Sequence, residues 1–272
     1  MSAAPETMPA PGRVLVLMYH GIHAGRASRG HFDPRYSVHP DRFREQVEYL
    51  HEYNRVGWLP VAGEALLAPP SARDHNMVLI TFDDGDASLV DAALPVLAEA
   101  GLGAVFFVTR NFVGQRGMIN VGELRQLSAA GMVIGSHGVS HRFLNTLSAA
   151  ALEFELEHSR AFLEQSIGRE VSLLSLPGGR GGKREIEAAA RAGYRSVFGS
   201  VPGDNRNTAP GQVIERVAVT HDVTLERFRQ IVHWKGSAAW RIQARHLALR
   251  WPKRLIGDRG YDWLRNAWVR GT

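Results

Sequence analysis

Seven short apolar runs alternate along this chain with segments of helical periodicity, and few architectures accommodate that rhythm. The runs are Val14 to Tyr19, Met77 to Phe82, Ala104 to Val108, Met132 to Ile134, Val171 to Ser175, Arg195 to Phe198 and Val213 to Val219. Each is continuously apolar or nearly so, as in strands buried on both faces of a parallel sheet. Between them lie predicted helices over His39 to Tyr53, Ala87 to Ala100, Val121 to Ala130, Ser148 to Ile167, Lys183 to Ala192 and Thr224 to Val232. Four of these stop at a glycine: Gly101, Gly131, Gly168 and Gly193. The expected class is α/β, a parallel sheet with helices outside, open or closed into a barrel. In both cases ligands gather at the C-terminal ends of the strands.

Two strand ends carry chemistry. The run Met77 to Phe82 leads into Asp83, Asp84 and Gly85. Adjacent carboxylates repel, and burial disfavours both charges. A divalent cation resolves the conflict, with one Asp as ligand and the other free as a base. The run Met132 to Ile134 leads into Ser136-His137-Gly138-Val139-Ser140-His141. The i, i+4 spacing puts both imidazoles on one side of a turn. Two His and one carboxylate form a recurring metal set that leaves positions open for water and substrate. A third strand end, Leu176-Pro177-Gly178-Gly179, offers backbone N–H groups for an oxyanion.

TFDDG at Thr81 to Gly85, SHGVSH at Ser136 to His141, and Met18-Tyr19-His20-Gly21 together resemble the polysaccharide deacetylases with a NodB-type domain (carbohydrate esterase family 4). The resemblance runs from about Arg13 to Val232 and implies a distorted (β/α) barrel. It implies a divalent metal, Zn or else Co, Ni or Fe, on Asp84, His137 and His141. It makes Asp83 the general base, a backbone N–H near Pro177 and Gly178 the oxyanion donor, and His221 the general acid. Two departures stand out. An Arg expected two residues before Pro177, to orient the catalytic Asp, is Ser175 here; Arg180 is the nearest replacement. An Asp-and-Trp element is reduced to the single candidate Asp204. His20 ends the first run, either as an interior His or at the edge of the pocket.

The expected domains are a disordered tail over 1–12, a deacetylase-like catalytic domain over 13–233 and a basic, Trp-rich extension with helices over 234–272. From Lys235 onward nine Lys or Arg oppose Asp258 and Asp262, a net +7, which leaves the rest at −2 against a total of +5. Five of the six Trp lie between Trp234 and Trp268. Aromatic residues interleaved with Arg suit an anionic membrane interface; a helix packed on the barrel is the plainer alternative. The body has no basic patch to recommend nucleic acid as a partner. The chain has no Cys, which excludes disulfides and thiolate sites. With no signal-peptide pattern in Met1 to Gly12, a cytoplasmic protein, peripheral at the inner face of the membrane, is expected. The expected activity is removal of N-acetyl groups from a polysaccharide or a lipid-linked glycan precursor. An amidase of the same fold and a catalytically silent glycan-binding or membrane-docking protein are the alternatives, the latter kept open by the missing Arg.

Overall fold

The structure is a computed structural model that describes residues 14–54, 59–60, 77–203, 205 and 212–234. The expected disordered tail, Asp204 and the extension beyond Trp234 lie outside them. Strand β1 (Val14–Tyr19) is followed by short β2 (Gly21–Ile22) and β3 (Ser37–Val38), then helix α1 (Pro40–Asn54) and β4 (Leu59–Pro60). Next come β5 (Met77–Phe82), α2 (Leu94–Glu99), β6 (Ala104–Val108), α3 (Val121–Ala129) and β7 (Val133–Ser136). The chain continues through α4 (Ala149–Ile167), β8 (Leu173–Ser175), α5 (Lys183–Arg191) and β9 (Ser196–Phe198). It ends in β10 (Val213–Ile214), β11 (Val217–Ala218) and α6 (Leu225–His233).

The main sheet has the order β10-β9-β8-β7-β6-β5-β1-β11, with β4 also on β5, and all its pairings are parallel. The expected strand Val213 to Val219 is two strands. β10 pairs with β9 at one edge and β11 pairs with β1 at the other, with only Glu215 and Arg216 between them. One chain segment thus spans both edges and curls the sheet into a distorted barrel. Alternate residues face opposite ways along each strand. Val14, Val16, Leu79, Val105, Phe107, Leu173 and Phe198 fill the interior, while Leu15, Leu17, Ile80, Phe82, Phe106 and Val108 pack under the helices. Gly135 makes room for this filling, because a Cβ there would lie 2.5 Å from the ring of fully buried Phe107.

Helix limits follow local chemistry. Ser148 caps α4 by accepting from the Ala151 N–H, and Gly168, at φ 68°, ends it. The expected helix Ala87 to Ala100 instead begins as a π-turn over Leu89–Ala93 before α2. Pro95 supplies the reason: it has no N–H, and its ring collides with the carbonyl four residues back in a regular helix, so a wider turn ahead of it relieves the clash. β7 runs two residues beyond the expected end, to Ser136, and so carries His137 directly on its tip. Among the described residues no helix is long and apolar enough to cross a membrane.

Candidate active site and metal centre

Asp83 and Asp84 leave β5 in different directions because the chain turns between them. Asp84 takes φ 75° and Gly85 φ 90°. The left-handed region is costly for a residue with a Cβ. His141, at φ 58°, pays the same penalty. Two of the four non-glycine residues in this region among those described are therefore members of the expected metal set.

That set assembles. One ligand atom each from Asp84, His137 and His141 lies within 4.8 Å of the other two. Asp84 Oδ1 is 3.2 Å from His141 Nε2 and 3.5 Å from His137 Nε2. It is buried and has no well-formed hydrogen bond. His137 donates from Nδ1 to the Ser175 carbonyl at 2.9 Å, which leaves the Nε2 lone pair toward Asp84. Burial lowers the pKa of His137 to about 4, so the ring stays neutral and available as a ligand. For Asp84, burial pushes upward, but His141, His20 and His137 outweigh it and hold the carboxyl well below its ordinary value. An orphaned buried carboxylate oxygen facing two imidazole nitrogens, that of His137 held neutral by burial, fits a borderline divalent cation such as Zn²⁺.

Asp83 sits beside this set, 3% exposed, with Oδ2 3.8 Å from His137 Nε2. Its fixed partner is Arg216, from the kink between β10 and β11, which donates from Nη1 to Oδ1 and from Nη2 to Oδ2, both at 2.7 Å. Arg216 is 1% exposed and uses every donor it has. Nε reaches the Gly199 carbonyl at 2.7 Å, Nη1 also Thr81 Oγ1 at 3.2 Å, and Nη2 also Ser175 Oγ at 2.7 Å. Its guanidinium lies over the Phe107 ring at the top of the barrel filling. Burial would raise the pKa of Asp83; Arg216 and His137 reverse this and keep it below its ordinary value.

The guanidinium that the third motif lacks thus comes from the kink between β10 and β11, and small Ser175 leaves the space for it. Arg180 is engaged elsewhere, stacked on Phe143 at 4.1 Å. The sequence did hold a signal: a charged pair, Glu215-Arg216, inside an otherwise apolar run of strand character.

Other expected site residues are placed differently. Asp83, Asp84 and His141 line a cavity of about 430 Å³ together with His20 and Tyr36. His20 stacks on Tyr36 at 4.4 Å, and its Nδ1 is buried without a hydrogen-bond partner. His221 is not part of this wall. It is exposed, its Nδ1 faces the Arg35 carbonyl at 3.3 Å, and it lines an adjoining cavity with His39 and Arg42. Pro177 and Gly178 do not line the metal-side cavity either. They form a tight turn in which Gly178, at φ 62°, lies so close to Phe143 that a Cβ would fall 2.6 Å from its ring. Pro177 flanks Gly138, in the loop between the two imidazoles.

Comparison with known proteins agrees with the motifs. Residues 71–197 match the family described as polysaccharide deacetylase. The chain is 30% identical over 140 residues to the peptidoglycan-N-acetylglucosamine deacetylase of Bacillus cereus, covering 51% of this chain and 63% of that one. It is 25% identical over 210 residues to YxkH of Bacillus subtilis, covering 77% of this chain and 72% of that one. In fold it is similar to a Streptococcus pyogenes deacetylase, PplD, with TM-score 0.69 at 20% identity, over 82% of this chain and 99% of the other. A polysaccharide deacetylase of Bacillus cereus gives TM-score 0.71 at 21% identity, over 82% and 69%.

Proposed function

We propose that this chain, whose residues 71–197 match the polysaccharide deacetylase family, is a metal-dependent hydrolase that removes the N-acetyl group from an N-acetylated polysaccharide or a lipid-linked glycan precursor. One observation carries the reading: Asp84, His137 and His141 converge to within 4.8 Å beside a second, separately anchored carboxylate, Asp83. A divalent cation held by the three would acidify water and polarise the acetyl carbonyl. Asp83 takes a proton from the attacking water as its oxygen bonds to the acetyl carbon. Arg216 keeps that carboxylate ionised and fixed in direction. The C–N bond then breaks, acetate leaves, and the sugar amine takes up a proton.

His20 is better placed than His221 to give that proton. It shares a cavity with Asp83, Asp84 and His141, packs against Tyr36 with the rings tilted by 32°, and has a buried ring nitrogen, Nδ1, without a hydrogen bond among the described residues. Arg216 also removes the motive for a silent binding protein, since the Asp-orienting guanidinium is present.

The test is acetate release from a panel of N-acetylated glycan oligomers and small N-acetyl amides, with chelator and with added Zn²⁺ or Co²⁺. Metal-dependent release from the glycans supports the reading. Release from simple amides alone favours the amidase, and no release from any substrate defeats it. The basic, Trp-rich extension would dock on anionic membrane. Co-sedimentation with vesicles containing anionic lipid, lost in high salt, is the corresponding check.

A further inference from the structure

We propose that Glu155, on α4, is the positioning residue that sets the loop between His137 and His141 in its metal-binding shape. The inference rests on the metal-site reading above. Glu155 Oε2 accepts from the Val139 N–H at 2.6 Å and from the Ser140 N–H at 2.9 Å, while Oε1 accepts from the Ser140 hydroxyl. The carboxylate is 5% exposed, and among the described residues no Lys or Arg forms an ion pair with it. A buried carboxylate without a counter-cation is expensive unless its oxygens are fully bonded. Here the bonds all go to Val139 and Ser140, two of the three residues that separate the two imidazoles.

The opposite side of the loop is held as firmly. The Gly138 and Val139 carbonyls accept from the Arg110 and Asn111 N–H groups at 3.0 and 2.9 Å. The Gly138 N–H reaches Ser136 Oγ at 3.2 Å, and the His137 N–H reaches the Val108 carbonyl at 2.9 Å. The Gly138–Val139 and Val139–Ser140 peptide groups are therefore clamped on both sides, their N–H groups by Glu155 and the Gly138 and Val139 carbonyls by the turn after β6. Gly138 adopts φ 78°, and a Cβ there would press on Glu155 Oε2 at 3.1 Å. His141, at φ 58°, sits at the end of this loop in a conformation it would leave if the loop were slack. The clamp pre-forms the site, so the ordering cost does not fall on metal binding.

The experiment titrates Co²⁺ into the metal-free full chain, following the visible absorption of the bound ion. Glu155→Ala should weaken binding by about 10- to 100-fold and alter the spectrum. Glu155→Gln keeps an acceptor oxygen for the two N–H groups and should recover most of the affinity. If Glu155→Ala does not fold, Ser140→Ala, which removes the Oε1 anchor alone, should still weaken binding measurably. A folded Glu155→Ala chain, or failing that Ser140→Ala, with wild-type affinity and spectrum overturns the proposal. A wild-type chain that takes up no Co²⁺ overturns the metal-site reading instead.

Discussion

Arg216 grips Asp83 through two parallel hydrogen bonds of 2.7 Å across the mouth of the barrel. The same two-residue kink that lets one segment pair with both edges of the sheet delivers the guanidinium to the reaction site. Closure of the fold and anchoring of the proposed base are one structural event.

Removing Arg216 should therefore damage both. Arg216→Met leaves a buried carboxylate unpaired, an imbalance worth about 3–5 kcal/mol. Arg216→Lys keeps the charge but not the fork, so it should recover part of the stability and little of the turnover. Urea denaturation beside kcat measures the two effects, and a stable, fully active Arg216→Met chain would contradict the assignment.

The two adjacent Asp should separate cleanly. Asp83→Asn is expected to retain metal and lose turnover. Asp84→Ala and His137→Ala are expected to lose the metal itself. Metal content after dialysis, read alongside acetate release, distinguishes them; full activity in Asp83→Asn means the base lies elsewhere.

Among the histidines, His20→Ala should slow turnover by about 10²-fold or more while KM changes little. His221→Ala should have a smaller effect on kcat, because it lines the adjoining cavity. The reverse order would restore His221 as the acid.

In the metal-free chain His137 should make stability pH-dependent. Its folded pKa is lowered to about 4 by burial, against about 6.5 when unfolded. The unfolded chain therefore binds the proton first on acidification. This contribution is complete above about pH 6.5 and is lost progressively as pH falls toward 4. Denaturation midpoints of wild type and His137→Gln should converge over that window, and a gap that widens in acid would refute the sign.

Gly135→Ala tests the barrel filling. The added methyl meets the immobile Phe107 ring, and overpacking of this kind costs about 1–3 kcal/mol. Thermal melting should show the loss with the metal site still able to load.

Much of this protein is written locally. Apolar runs fixed β1, β5 and β6 to the residue, Ser148 and Gly168 bounded α4, and TFDDG with SHGVSH marked the metal set, because these features depend on neighbours a few residues apart. Distant contacts decided the rest. Whether the sheet closed hinged on Val213 to Ala218 reaching both edges at once. The partner of Asp83 lies 133 residues away in the kink between β10 and β11, and the clamp on the histidine loop comes from a helix. His20 and His221 have comparable sequence credentials and differ in which cavity they line. A side chain's type and its near neighbours set what it can do chemically; which distant group it meets depends on the packing of the whole barrel, and no local pattern encodes that.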